Sequence, residues 1–443
     1  MNIFGKKYLH KTSTVSYTHL TLPTTPYGRM KMKKKLVGGL VLALAVSSLL
    51  GGCGGKATTS EKPETGKTKI RFATWDTAGD VDKQQAMVDK FNAEHDDIEV
   101  TMEAYGQDFD TKISAGMGSG DAPDVMYMWN YPAYYGGLEP LDSYIEKEGQ
   151  EYKDNIYEAL WPYNSIDGVT YGIPVGFTTH VLFYNKDLFA QAGVEEPTAD
   201  WTWDDLREAA KTIADNTDAK GLAFSMKPDP YDFEMFLWSN GAAYCDAEGK
   251  LEGNLNSEKS KEVFQMFQDM EKEGYAVATE KSGTDEFRSQ QAAMYIYGAW
   301  SINDFKADGL NFGLVDIPAF KDADHDSVSI LSTSGIAMSK DSKNKDAAWE
   351  FVKFWTDEWA SKERIGSEMP ALYNVVESEK IMENPEFAPF YTMLEQSAGY
   401  TPTSFIVDNW SEVSESLALS FEQVFNPSSL QDVGAVLDEA VAE

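Results

Sequence analysis

The chain reads as an α/β protein of two doubly wound lobes, and three observations predict it. At 443 residues it is too long for one small core, since chains of this length divide into two or more. From Ile70 to Trp129 apolar residues alternate between the period of a strand and the period of a helix, in the order β-α-β-α-β. A second stretch of the same style begins near Gly172, with no long linker, low-complexity block or short repeat before it. Two lobes without a linker imply that the chain crosses between them more than once.

The first 67 residues fall outside this folded part. Val15 to Thr25 read VSYTHLTLPTT, which resembles a translated transposon-type sequencing adapter. Residues 1–29 are therefore read as a cloning or assembly scar, the alternative being a true N-terminal extension. Met30 or Met32 then begins a leader over residues 30–52. Lys31, Lys33, Lys34 and Lys35 form its basic region, and Leu36–Leu50 its apolar region. That apolar run spans about 22 Å as a helix, short of the ~30 Å hydrocarbon core of a bilayer. Leu50-Gly51-Gly52-Cys53 resembles the lipobox of bacterial lipoproteins, whose cysteine thiol carries diacylglycerol. Two acyl chains suffice for stable anchoring. Gly54–Lys67 reads as a flexible tether.

Within the folded part each element has a local signature. Ile70, Phe72 and Thr74 alternate as a strand, and Val81, Val88 and Phe91 recur at helical spacing. Ile98, Val100 and Met102 form a second strand, and Phe109 to Met117 a helix. Pro123-Asp124 leads into Val125-Met126-Tyr127-Met128-Trp129, an apolar run typical of a strand buried on both faces. Val181-Leu182-Phe183-Tyr184 reads as a strand of the second unit. Thr202-Trp203-Asp204-Asp205 has the pattern of a capped helix start, followed by the apolar face Leu206, Ala209, Ala210 and Ile213. Helices are expected at 260–272, 345–356 and 413–424.

Charge and motif content narrow the function. The formal net charge is −34, and residues 1–52 carry eight of the 38 basic residues and none of the 72 acidic ones. The remainder therefore stands at −42, a field that repels phosphate backbones and argues against nucleic-acid binding. With Cys53 engaged, Cys245 is a lone thiol and no disulfide framework forms. There is no Walker-type G-x-x-x-x-G-K, no G-x-S-x-G and no H-E-x-x-H. His95, His180 and His325 lie far apart in sequence, so no zinc or Ser-His-Asp site is indicated. Asp322, Asp324 and Asp326 alternate like a calcium loop but lack its Gly and distal Glu, and read as a solvated loop. No cofactor and no metal are expected.

Aromatic residues carry the strongest functional signal. Trp75 and Trp129 stand at the ends of expected strands, and in open α/β sheets ligands bind beyond the carboxyl ends of strands. Asp76, Thr77 and Asn130 follow them. An aromatic face beside amides and carboxylates suits a sugar, whose C–H face packs on the ring while its hydroxyls take hydrogen bonds.

Several motifs then occur in order. They are Ser119-Gly-Asp-Ala-Pro-Asp-Val125, Gly136-Gly-Leu-Glu-Pro-Leu-Asp142 and Tyr171-Gly-Ile-Pro174. Leu182-Phe-Tyr-Asn-Lys-Asp-Leu-Phe189 and Ala192-Gly193 follow, with Pro197, Thr202 and Trp203. Ala292-Ala-Met294, Gly298-Ala-Trp300 and Ala347-Ala-Trp-Glu-Phe351, with Pro370, complete the series. From Ile70 to Asn374 the chain thus resembles the family 1 extracellular solute-binding proteins, the group that includes maltose-binding protein. The resemblance implies a type II periplasmic-binding-protein fold with a ligand cleft between the lobes. It divides the chain into lobe 1 (68–177 plus 316–367) and lobe 2 (178–315 plus 368–443). It implies lobe closure on a carbohydrate, docking of a monomer on the permease subunits of an ABC importer, and a lipid-anchored place on the outer face of the bacterial cell membrane. Its cleft residues carry over to Trp75, Asp76, Asn130, Thr178, His180, Tyr231, Asp232, Trp300, Ser334 and Trp410. Asn130 stands near a position where the family has a carboxylate, which removes a charge-assisted bond.

Two other functions compete with this expectation. The same fold could bind a polyamine or other cationic solute, for which Asp76 and Asp232 would serve. A secreted glycan-active enzyme would need two carboxylates at catalytic separation, about 5–10 Å apart.

Overall fold

The computed structural model describes residues 66–442, positions 324 and 408 excepted. The adapter-like segment, the leader, Cys53, most of the tether and the central Asp324 of the acidic loop lie outside the described residues.

Strands β1 (Thr68–Thr74), β2 (Ile98–Ala104) and β3 (Val125–Met128) begin the chain, and a short hairpin of β4 (Ser165–Ile166) and β5 (Val169–Thr170) follows. After β6 (Gly172–Thr179) come β7 (Val181–Asn185), β8 (Lys220–Ser225), β9 (Ala276–Thr279), β10 (Ala292–Tyr297) and β11 (Phe312–Val315). The last strands are β12 (Leu331–Met338) and β13 (Met369–Pro370). They form a six-stranded sheet in the order β13-β6-β12-β3-β1-β2 and a five-stranded sheet in the order β11-β7-β10-β8-β9. Each sheet has a parallel half, β2-β1-β3 in one and β9-β8-β10 in the other, completed by antiparallel strands. This is the two-lobed α/β architecture expected from the sequence.

The alternation of side chains along the strands explains how the first sheet is covered. Phe72, Val125, Tyr127 and Ile336 face one core, where Phe72 packs on Tyr127, Phe351 and Trp355 with ring centroids 5.7, 5.2 and 4.7 Å apart. Ala73, Met126, Met128 and Ala337 face the other, with Phe109, Ile113 and Tyr131. In the second lobe Phe233, Phe264, Phe267, Phe421 and Phe425 are all buried, and Phe233 packs on each of the other four rings. Each such ring contributes about 1.5–3 kcal/mol of burial relative to exposure.

The helices begin and end where the local chemistry dictates. Thr202 caps the helix Trp203–Asn216 through a reciprocal capping box with Asp205. Leu206, Ala209, Ala210 and Ile213 form its buried face. The helices expected near 260–272, 345–356 and 413–424 run over Glu258–Lys272, Lys345–Trp355 and Trp410–Phe425. In the last, Leu417, Phe421, Val424 and Phe425 repeat at helical spacing and are buried.

The sheet boundaries differ from the sequence-based division. Gly172–Thr179 does not open the second unit; it is a full strand of the first sheet, paired with β12 from Leu331 to Ala337. Thr178 therefore belongs to the first sheet, and the second begins at Val181. Met369–Pro370 also pairs with β6, so the return to the first sheet extends past residue 367. The reason is local ambiguity: β6 is buried along its whole length, so neither its composition nor its period says which sheet it enters.

Three segments cross between the sheets, and side-chain hydrogen bonds tie them together. The first is His180, the single residue between β6 and β7, and the second is the stretch from β11 to β12. His180 N donates to Ser329 Oγ at 2.7 Å, and Ser329 Oγ donates to the His180 carbonyl at 2.9 Å. The third follows the helix Ala388–Gln396: Ser397 Oγ accepts from Ser329 N at 2.8 Å.

Candidate ligand-binding cleft

A cleft of about 1430 Å3 lies between the two sheets. It opens at the carboxyl ends of β1, β3 and β10, where a ligand site is expected in an open α/β sheet. All ten residues singled out from the sequence line it.

The first-lobe wall carries Trp75, Asp76, Asn130, Thr178 and Ser334. Trp75 is half-buried, braced edge-on by Phe109 at 5.4 Å and by Tyr127 at 5.0 Å. The Asp76 carboxylate accepts from Thr74 Oγ1 at 3.1 Å and from the Gln84 amide. Burial, then the nearby Glu368 carboxylate, pushes Asp76 up to about 6. Asn130 Oδ1 caps a short helix by accepting from Ala133 N at 3.3 Å. The turn that carries Trp129 and Asn130 is anchored by Tyr131, whose ring is fully buried over β6 and β12. That approach requires glycine in both strands: a Cβ at Gly172 would lie 1.9 Å from the Tyr131 hydroxyl, and one at Gly335 would lie 2.1 Å from it.

Thr178 and Ser334 are committed to the fold. Thr178 Oγ1 donates to the Thr179 carbonyl and accepts from Ala299 N, both at 2.8 Å, so it stitches β6 to the turn that carries Trp300. Ser334 donates to Glu368, whose other oxygen accepts from Arg364 Nε at 2.9 Å.

The second-lobe wall carries Tyr231, Asp232, Trp300 and Trp410. Asp229 caps the turn of π-helix Pro230–Glu234, accepting from Tyr231 N at 3.0 Å. Both Asp232 oxygens accept from Ser282 Oγ, at 3.0 and 3.1 Å, and burial with the neighbouring Asp229 charge pushes Asp232 up to about 6. Trp300 is 46% exposed and stands edge-to-face on Tyr297 at 5.0 Å. Trp410, at the start of its helix, stacks on Tyr244 at 5.7 Å and 18°.

His180 is the most unusual of the ten. It is 1% exposed, and neither ring nitrogen has a hydrogen-bond partner among the described residues. Burial lowers its pKa to about 3, so the ring is neutral at physiological pH. It packs against Trp300 at 5.7 Å and Tyr297 at 5.3 Å. Buried polar atoms are ordinarily satisfied, and this residue borders the cleft.

The cleft has further lining residues outside those ten. Trp129, the strand-end aromatic that the sequence sets beside an expected ligand, is 43% exposed and lines it. Tyr297 lies one residue before the Gly-Ala-Trp motif and could have been read from it. Tyr163 and Phe405 sit on a 3-10 turn and a four-residue helix, which have no sequence period to mark them. Arg364 and Glu368 pair locally, four residues apart, and the return to the first sheet sets Glu368 beside Ser334 at the cleft. Among the described residues no cluster of three or more His, Cys, Asp or Glu could hold a metal ion. Cys245 is buried with its sulfur 3.4 Å from Thr403 Oγ1.

Residues 77–360 match the family described as bacterial extracellular solute-binding protein. The galactooligosaccharide-binding protein of Bacillus subtilis is 26% identical over 374 residues, covering 80% of this chain and 85% of that protein. The arabinooligosaccharide-binding protein of the same organism is 24% identical over 384 residues, covering 81% and 86%. Among solved structures, an ABC substrate-binding protein of Listeria monocytogenes in complex with cycloalternan superposes with a TM-score of 0.72 at 27% identity, covering 85% of this chain and 98% of that one. Two sheets joined by three hydrogen-bonded crossings, an aromatic cleft between them and a family match over most of the folded part agree: the chain belongs to the bacterial extracellular solute-binding proteins.

Proposed function

We propose that the protein captures an oligosaccharide in this cleft and presents it, by closure of the two lobes, to the permease subunits of an ABC importer. The observation that carries the reading is the aromatic lining of both walls. Trp75 and Trp129 on one side and Trp300 and Trp410 on the other offer rings to sugar C–H faces, beside Asp76, Asn130 and Asp232 for hydroxyls. The cleft exceeds the roughly 300–1,000 Å3 typical of drug-sized ligands, which favours several linked sugar units over one. Oligosaccharides are also what the two Bacillus subtilis relatives are named for binding.

His180 is the ligand's contact at the crossover in this reading, since its ring nitrogens have no other partner among the described residues. Thr178 and Ser334 shape the site rather than bind, their hydroxyls being engaged. Ligand that touches both walls favours the closed state, because only differential affinity moves such an equilibrium. The crossings at His180, Ser329 and Ser397 are the hinge. The protein acts as a monomer, by binding without catalysis, held at the outer face of the cell membrane by a diacylglyceryl group on Cys53.

A thermal-shift panel of trisaccharides, spermidine and divalent cations tests this. A sugar that binds only the folded state raises the melting temperature, and small-angle scattering should show a smaller radius of gyration with it. A response to spermidine or to cations, with none to sugars, would sink the carbohydrate reading.

A further inference from the structure

The charge inventory of the cleft says which oligosaccharides it can take. Among the described residues, nine Asp and Glu but only four Lys and Arg line it, so the walls are net acidic. Three of the four cations are already committed. Arg364 is almost fully buried and donates to Glu368 at 2.9 Å and to the Trp355 and Val175 carbonyls at 2.8 and 3.4 Å. Lys83 lies 3.6 Å from Asp80 and 3.3 Å from Ser367 Oγ, and Lys281 lies 3.4 Å from Asp285. The fourth, Lys227, sits near enough to Asp229 and Asp232 to act on both carboxyls.

The carboxylates facing the ligand are not answered in the same way. Asp76 on one wall and Asp232 on the other are held by hydroxyl and amide donors and form no ion pair among the described residues. The helices that start at the cleft, Ala78–Glu94 and Trp410–Phe425, carry Asp80 and Glu412 in their first turns, which offsets the positive ends that could attract an anion. Among the described residues an anion would thus meet, on each wall, a carboxylate without a direct ion pair, with Lys227 acting on Asp232 from a distance and no spare guanidinium fork. The sequence from Cys53 onward, at −42, adds a field of the same sign on approach.

We infer that the cleft selects oligosaccharides without anionic substituents, and that uronate, sulfated and phosphorylated chains are turned away by Asp76 and Asp232 acting from opposite walls. This rests on the carbohydrate reading above and adds a rule of exclusion to it. Ammonium-bearing sugars are admitted by the same charges.

Titration calorimetry on the purified full chain tests the inference with neutral probes and their carboxylate-bearing counterparts. The probes are maltotriose, galactotriose, mannotriose and xylotriose, followed by the C6-carboxylate forms of the three hexose trimers and the 4-O-methylglucuronate-substituted form of xylotriose. The expected result is that a neutral probe binds and that its carboxylated partner binds about tenfold or more weakly, with the gap shrinking as salt is raised. Asp76→Asn and Asp232→Asn should narrow the gap from the protein's side. Equal binding of the neutral and carboxylated forms, or binding of carboxylated forms alone, overturns the exclusion and leaves the carbohydrate reading standing. Failure of every neutral and every anionic probe overturns both.

Discussion

At the scale of single residues, His180 and Trp300 separate binding from stability. Among the described residues neither His180 ring nitrogen has a partner in its buried site, which costs the folded protein stability that a hydrogen bond from the ligand side would offset. His180→Phe retains the ring and its packing on Trp300 while removing both polar atoms. The melting temperature should stay the same or rise, while sugar affinity falls by about tenfold or more. A parallel loss of both would mean that the imidazole serves the fold instead. Trp300 is half in solvent, so Trp300→Ala should move the melting temperature little and weaken binding about thirtyfold, the order of an interface hot spot. Trp355→Ala is the contrasting case. That ring is fully buried between Phe72 and Phe351 and donates to Tyr127 Oη at 3.0 Å, and its loss should cost about 3–5 kcal/mol of stability.

At the scale of elements, the site depends on how closely helices lie on sheets. The helix Trp203–Asn216 crosses β8 at Gly221, where an added Cβ would fall 2.2 Å from the Ala210 backbone. Gly221→Ala must therefore push the helix off the strand, and urea unfolding should show a loss of about 1–3 kcal/mol. The β8 strand leads into the turn that carries Tyr231 and Asp232, so affinity should fall with it. Thr202→Ala removes only the helix cap and should cost about 1 kcal/mol without touching sugar affinity. The helix Trp410–Phe425 makes the same point from the other end. Four apolar residues in its later turns hold it on the second lobe, and this places Trp410 at the cleft.

At the scale of the whole molecule, buried acids give stability and binding opposite responses to pH. Burial raises Asp76, Asp232 and Asp316 to about 6 and Glu234 to about 7. In an unfolded chain the same groups titrate near 4. A carboxyl whose pKa is raised on folding contributes stability that is complete below its unfolded value and is lost as pH rises through its folded value. His180, held near 3 by burial, acts the other way as pH falls below about 6.5, but the four raised acids outnumber it, so the ligand-free protein should melt at a higher temperature as pH is lowered from 8 to 5, and the falling net negative charge acts in the same direction. Sugar hydroxyls that donate to Asp76 and Asp232 favour the ionised carboxylates, so affinity should decline as pH falls below about 6. Scanning fluorimetry and calorimetry across that range read the two slopes, and a flat pair would mean that these acids do not titrate there.

Much of this was legible in the sequence because it is written in local periods and caps. The β-α-β-α-β order from Ile70, the capping box at Thr202 and the apolar face of the late helix each depend on residues within a few positions of one another. The ordered motifs extended that reading to the cleft, and all ten residues drawn from it line the same space. Three things needed the tertiary structure. The sheet to which Gly172–Thr179 belongs was decided by pairing with β12, a partner more than 150 residues away that no local pattern names. The commitment of Thr178 and Ser334 to Ala299, Thr179 and Glu368 arises where strands and turns from distant parts of the chain meet. The isolation of His180 is a consequence of burial, and burial is set by what the whole chain packs against a residue, not by its neighbours in sequence.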